Sequence, residues 1–198
     1  MQKHEEDIAV ISRHGYQLLR ENRIAEAEES FRKVLEKDSE NSYALVGLGD
    51  AARKRGDFES AVGHYGQCLE SEPDNTFALF GLADSHKSQK HYTSAIEAWE
   101  RYLRHDDTNV TVLTRVADVY RKTKVHDRSR ELYQKVLQIE ADNPYALIGL
   151  GHLHYDFKEY DQALEYWSRM HTIEGDRVDI PKNSLFPKSF FQVFIDPA

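Results

Sequence analysis

An all-α solenoid of stacked helix pairs is the fold class this sequence predicts, and three observations predict it. The octet "YALVGLGD" at 43–50 returns as "FALFGLAD" at 77–84 and as "YALIGLGH" at 145–152, so like letters recur at multiples of 34 residues. Within an interval, apolar side chains recur at spacings of three and four, as in Leu45, Leu48, Ala52 and then Phe58, Ala61, Val62, Tyr65, Leu69. That is the period of a helix stripe and not of a strand. Turn formers punctuate the interval twice, at Gly56 in "RKRGDF" and at Pro73 in "SEPDN", so each interval is two helices.

Counting from Ile8 gives five rows, 8–41, 42–75, 76–109, 110–143 and 144–177, with a lead-in over 1–7 and a tail over 178–198. The first row sets the columns: Ile11, Gly15, Ala27 and Phe31 stand at positions 4, 8, 20 and 24. The second repeats them with Leu45, Gly49, Ala61 and Tyr65, and the third with Leu79, Ala83, Ala95 and Trp99. In the fourth the octet has drifted to "TVLTRVAD" (111–118), yet Leu113, Ala117, Ser129 and Tyr133 keep the columns, so it is a diverged copy and not a gap. Leu147, Gly151, Ala163 and Trp167 complete the fifth. Small residues at positions 8 and 20 let two helices approach, and the aromatics at 24 fill the space between neighbours. A lone hairpin cannot bury both faces, so stability must come from stacking. Position 27 holds Val34, Cys68, Tyr102, Val136 and Met170. Tyr102 is expected to crowd its junction and, with a loosened turn at 121–127 ("RKTKVHD"), to change the twist between rows three and four.

The chain resembles the tetratricopeptide repeat family, whose unit is a helix-turn-helix of this length. Leu48, Gly49, Gly56, Phe58, Ala61, Tyr65 and Pro73 of the second row carry the match. Elsewhere it is thinner: Ser39, Asp107, Ala141 and Gly175 replace the usual proline, and Lys124, His126 and Ser129 stand where the family prefers Gly, Tyr and Ala. The resemblance implies a right-handed superhelix whose first helices line a concave face with positions 2, 5, 9, 12 and 13. Positions 2 and 5 then give an apolar stripe of Tyr43, Val46, Phe77, Phe80, Tyr145 and Ile148, interrupted by Thr111 and Thr114. Position 9 gives Tyr16, Asp50, Asp84, Asp118 and His152; Arg53, Lys54, Lys87, Arg121 and Lys122 form an edge.

The aspartates are either paired with those basic residues one turn on or free for a ligand. Free, beside aromatics, they suit a partner peptide or helix with apolar side chains and a Lys or Arg. The family's two-carboxylate clamp for acidic chaperone tails is missing, because Ser12, Tyr16, Val46, Gly47, Phe77 and Gly81 occupy its positions. The expected function is therefore a noncatalytic interaction scaffold or adaptor. A self-assembling subunit working through its tail or convex surface is the alternative.

The tail leaves the period, since Pro181 and Ser184 fall where leucines belong. Phe186, Phe190, Val193 and Phe194 would share one face of a short helix. It is expected to cap the last pair or to lie in a groove, its own or that of a second copy, which would make a homodimer.

A net charge of −8 argues against nucleic acid. No apolar run approaches the roughly 20 residues needed to insert in a membrane, and the N-terminus has no secretory pattern, so a cytoplasmic location is expected. One cysteine, Cys68, excludes an internal disulfide and reads as an inert core thiol. His86, His152 and His154 lack metal-ligand spacing, "SFRK" at 30–33 lies within a helix around a core phenylalanine, and no cofactor motif is present.

Overall fold

A computed structural model of the protein describes residues 2–174; the tail, with Phe186, Phe190 and Phe194, lies outside them. Ten α-helices follow in order: α1 (Gln2–Arg20), α2 (Ile24–Leu35), α3 (Ser42–Arg55), α4 (Phe58–Ser71), α5 (Thr76–Ser88), α6 (Tyr92–Leu103), α7 (Val110–Lys122), α8 (His126–Ile139), α9 (Pro144–Asp156) and α10 (Tyr160–Glu174). There is no strand among the described residues, and the architecture is the all-α helical repeat. Each odd helix packs on the even helix after it, and each even helix on the next odd one. Helix α1 begins at Gln2 and so takes in most of the lead-in.

Two turn devices repeat. Asn41, Asn75, Asn109 and Asn143 precede α3, α5, α7 and α9, and each side-chain carbonyl accepts the N–H of Ala44, Ala78, Val112 or Ala146 at 3.0–3.1 Å. This satisfies an amide that the helix start would otherwise orphan. The same four side chains donate Nδ2–H to Asp38, Glu72, Asp106 and Glu140 three residues back.

Within each pair the chain turns through one left-handed residue: Asn22, Gly56, Lys90, Lys124 and Lys158, with φ between 61° and 81°. The turn at 121–127 is therefore not loosened. Its Lys124 and Val125 amides bond Arg121 and Tyr120 just as Gly56 and Asp57 bond Arg53 and Ala52. A Cβ in this region costs about 1 kcal/mol. Lys124→Gly, which relieves that cost at an exposed position, is expected to raise stability by about 1 kcal/mol in a urea melt.

The core aromatics Phe31, Tyr65, Trp99, Tyr133 and Trp167 are at most 3% exposed. The first four sit against their own pair and the next, and Trp167 against its own, α9 and α10. A Cβ built on Gly47 would lie 2.4 Å from Phe31, one on Gly81 2.2 Å from Tyr65, and one on Gly149 2.2 Å from Tyr133. Helix backbone thus touches ring directly, and no larger residue fits without shifting something.

The fourth row breaks this pattern. Where α3, α5 and α9 offer Ala44/Gly47/Ala51, Ala78/Gly81/Ser85 and Ala146/Gly149/Leu153, α7 offers Val112, Arg115 and Val119. This is the most sparsely packed junction between successive pairs, yet Val112, Val116 and Val119 are buried against Ala95, Ala98 and Trp99 of α6, while the Arg115 guanidinium lies over α5, against Asp84 and Phe80. Tyr102 packs at this junction, against the cluster that holds Trp99, Val112 and Val116. Its hydroxyl accepts from Asn109 at 2.9 Å and its ring meets Phe80 edge-on at 6.3 Å, a half-buried seat beside the loop.

Candidate functional site

The first turns of α3, α5 and α9 display Tyr43, Phe77 and Tyr145 at 69%, 77% and 71% exposure. Thr111 is exposed at the matching place on α7. Position 5 behaves differently from the expectation. Val46 is 6% exposed and packed into the core with Tyr65, Ala78 and Leu79, because the next helix pair closes over it. Phe80 is half-buried, with the Arg115 guanidinium 5.1 Å from its ring centroid. The Thr114 hydroxyl is turned onto its own helix, donating to the carbonyls of Val110 and Thr111 at 2.8 and 2.9 Å. Ile148 is half-buried.

The aspartates are engaged, and across helices as well as along them. Asp50 accepts from the Tyr65 hydroxyl at 2.7 Å and from Arg53 at 3.2 Å. Asp84, 8% exposed, meets Arg115 of α7 at 2.8 Å and Arg53 of α3 at 3.5 Å. Asp118 meets Lys122 at 2.8 Å, Arg121 at 3.3 Å and Lys87 of α5 at 3.7 Å. Of the two readings, paired or free, the aspartates take the first, with cations from neighbouring helices as well as their own, and more cations than carboxylates line this face. Burial pushes the Asp118 pKa up, but Lys122, Lys87 and Arg121 outweigh it and hold the carboxyl below its usual range. For Lys87 burial wins and lowers the pKa. Burial, reinforced by Arg121, also lowers the pKa of His152, whose ring lies edge-on to Trp167 at 5.5 Å.

Between α5, α7 and α9 the face deepens into a trough of about 760 Å³. Six of the expected residues line it: Thr114, Asp118, Arg121, Tyr145, Ile148 and His152. Tyr43, Val46, Asp50, Phe77, Phe80 and Asp84 do not. Arg115 and Tyr133 also line it and were not expected there; the legible sign was an arginine in the column that holds Gly47, Gly81 and Gly149, a position that Arg13 shares in the first row.

Among the described residues no group of acidic, histidine and cysteine side chains is arranged to hold a metal, and no helix is long and apolar enough to cross a membrane. Cys68 is buried, which pushes its thiol up to about 11, so it stays protonated.

No curated protein matches the sequence. The fold has many likenesses among solved structures. MamA matches at 20% identity with a TM-score of 0.77, over 82% of this chain and 95% of that one. A second MamA, from Desulfovibrio magneticus, gives 16% and 0.80 over 86% and 97%. PilF of Pseudomonas aeruginosa gives 20% and 0.75 over 86% and 78%. At these identities the likeness is one of fold. The tetratricopeptide repeat profile matches residues 13–76, 46–110 and 80–146. Those overlapping matches span most of the sequence and fall on the helix pairs just described, so the chain belongs to the tetratricopeptide repeat family.

Proposed function

We propose that this chain is a noncatalytic interaction scaffold that holds a peptide or helix of a partner protein along the face formed by its first helices. The observation that carries this is the rim of Tyr43, Phe77 and Tyr145, one large ring per helix on three helices, each more than two-thirds in water. Such rings do nothing for the core, and exposed apolar surface beside a trough is the usual mark of a protein-binding site. The ligand reads as apolar in part, while the basic residue first expected in it loses its rationale because Asp50, Asp84 and Asp118 are already paired.

Phe77→Ala with Tyr145→Ala tests the reading. Both side chains are exposed, so stability should change by no more than about 0.5 kcal/mol each. Affinity capture from the source cells is expected to lose the proteins that the unaltered chain retains. Identical capture by both forms would show that the binding surface lies elsewhere. Phe80 and Asp84 make poor probes, since their replacement disturbs packing and a buried ion pair.

A further inference from the structure

Cations outnumber carboxylates at one point of the groove. Lys87, Arg121 and Lys122 all converge on the single carboxylate of Asp118. Arg115, also in the trough, is held by Asp84, which Arg53 shares. Glu140 also reaches the trough lining, its carboxylate accepting from the neutral Asn143 amide at 2.7 Å, so Lys87, Arg115, Arg121 and Lys122 face two carboxylates there, Asp118 and Glu140. Lys87, Arg121 and Lys122 keep 27%, 21% and 43% of their side chains exposed. In a chain of net charge −8, a partly desolvated trough therefore carries uncompensated positive charge, and like charges held this close repel strongly when shielded from water. A second carboxylate entering beside Asp118 would relieve that repulsion with charge-assisted hydrogen bonds.

Next to the cations is an apolar shelf, the exposed Tyr145 ring and the half-buried Ile148 one turn further along α9. We infer that the trough between α5, α7 and α9 binds an acidic segment of a protein partner, with a carboxylate against Lys87, Arg121 and Lys122 and an apolar side chain against Tyr145 and Ile148. The inference rests on the scaffold reading and adds to it the place and the sign of charge. The shelf favours a peptide over a phosphate polymer, whose backbone offers no apolar side chain to Tyr145 and Ile148.

The test is selection of randomised peptides displayed on phage, run in parallel on the intact chain and on its Lys87→Glu/Lys122→Glu variant, with helical content checked by circular dichroism. The intact chain is expected to enrich peptides in which Asp or Glu neighbours an aromatic or aliphatic residue. A synthetic peptide of that kind should bind the variant about tenfold or more weakly, and should also weaken as salt rises to about 0.5 M. Lys122→Gln, at the most exposed of the three cations, serves as the milder second variant and should give a smaller loss in the same direction. Enrichment of basic or uncharged peptides would overturn the inference while leaving a peptide-binding groove in place. So would acidic peptides whose affinity is the same on all three forms. No enrichment on any form would overturn the groove reading and this inference together.

Discussion

Tyr65→Ala is expected to destabilise the protein by about 3–5 kcal/mol, the cost of removing a large buried aromatic whose site cannot collapse. The ring is fully buried, and both sides of its seat are glycine: a Cβ on Gly49 would come within 2.5 Å of it and one on Gly81 within 2.2 Å. With the ring gone, no side chain stands at either glycine to fill the gap. The loss also falls on the junction of α4 with α5, so the first two helix pairs would lose their coupling to the rest. In a stack where each unit is stabilised by its neighbours, a urea melt should then show two transitions or a lowered slope. Tyr65→Phe keeps the ring and loses the bond that the hydroxyl donates to Asp50 at 2.7 Å, for about 1 kcal/mol. If Tyr65→Ala were no worse than Tyr65→Phe, the aromatic column would not be what joins the pairs.

That column was readable in the sequence because its chemistry is monotonous: large rings every 34 residues, with small residues around them, have no cheaper explanation than ring-on-backbone packing. The helix pairs and their order were readable for the same reason. The left-handed turn residue was not, because four of its five holders are Asn or Lys, and a residue type that tolerates a conformation without requiring it leaves no signature. Asn41, Asn75, Asn109 and Asn143 also repeat at a fixed interval, but asparagine suits a turn as readily as a cap. Periodicity placed Asp84 on the groove side, yet its burial depends on Arg53 and Arg115, contributed by the helices before and after it. Reach across helices is a three-dimensional property, and spacing along one helix does not encode it.

Arg115→Glu is expected to cost about 2–4 kcal/mol, because it sets a second carboxylate against Asp84 and leaves Arg53, 3.5 Å away, as the remaining partner of both. The Asp84 side chain is 10% exposed, so water screens the repulsion poorly, while the 34% exposure of Arg115 keeps the figure below that of a fully buried pair. The change also strips the guanidinium from the face of Phe80. Crowded carboxylates hold protons more tightly than they do in the unfolded chain. The native variant therefore binds protons that its unfolded form has released, and its deficit should shrink as pH falls from 7 toward 5. Arg115→Gly separates charge from shape. It returns the glycine found at Gly47, Gly81 and Gly149, leaves Asp84 paired with Arg53, and costs about 1 kcal/mol of helix propensity. Binding of an acidic peptide should weaken, because the trough loses one of its cations. Equal stability losses for Arg115→Glu and Arg115→Gly, independent of pH, would mean that the arginine acts by packing alone and that Asp84 does not need its charge.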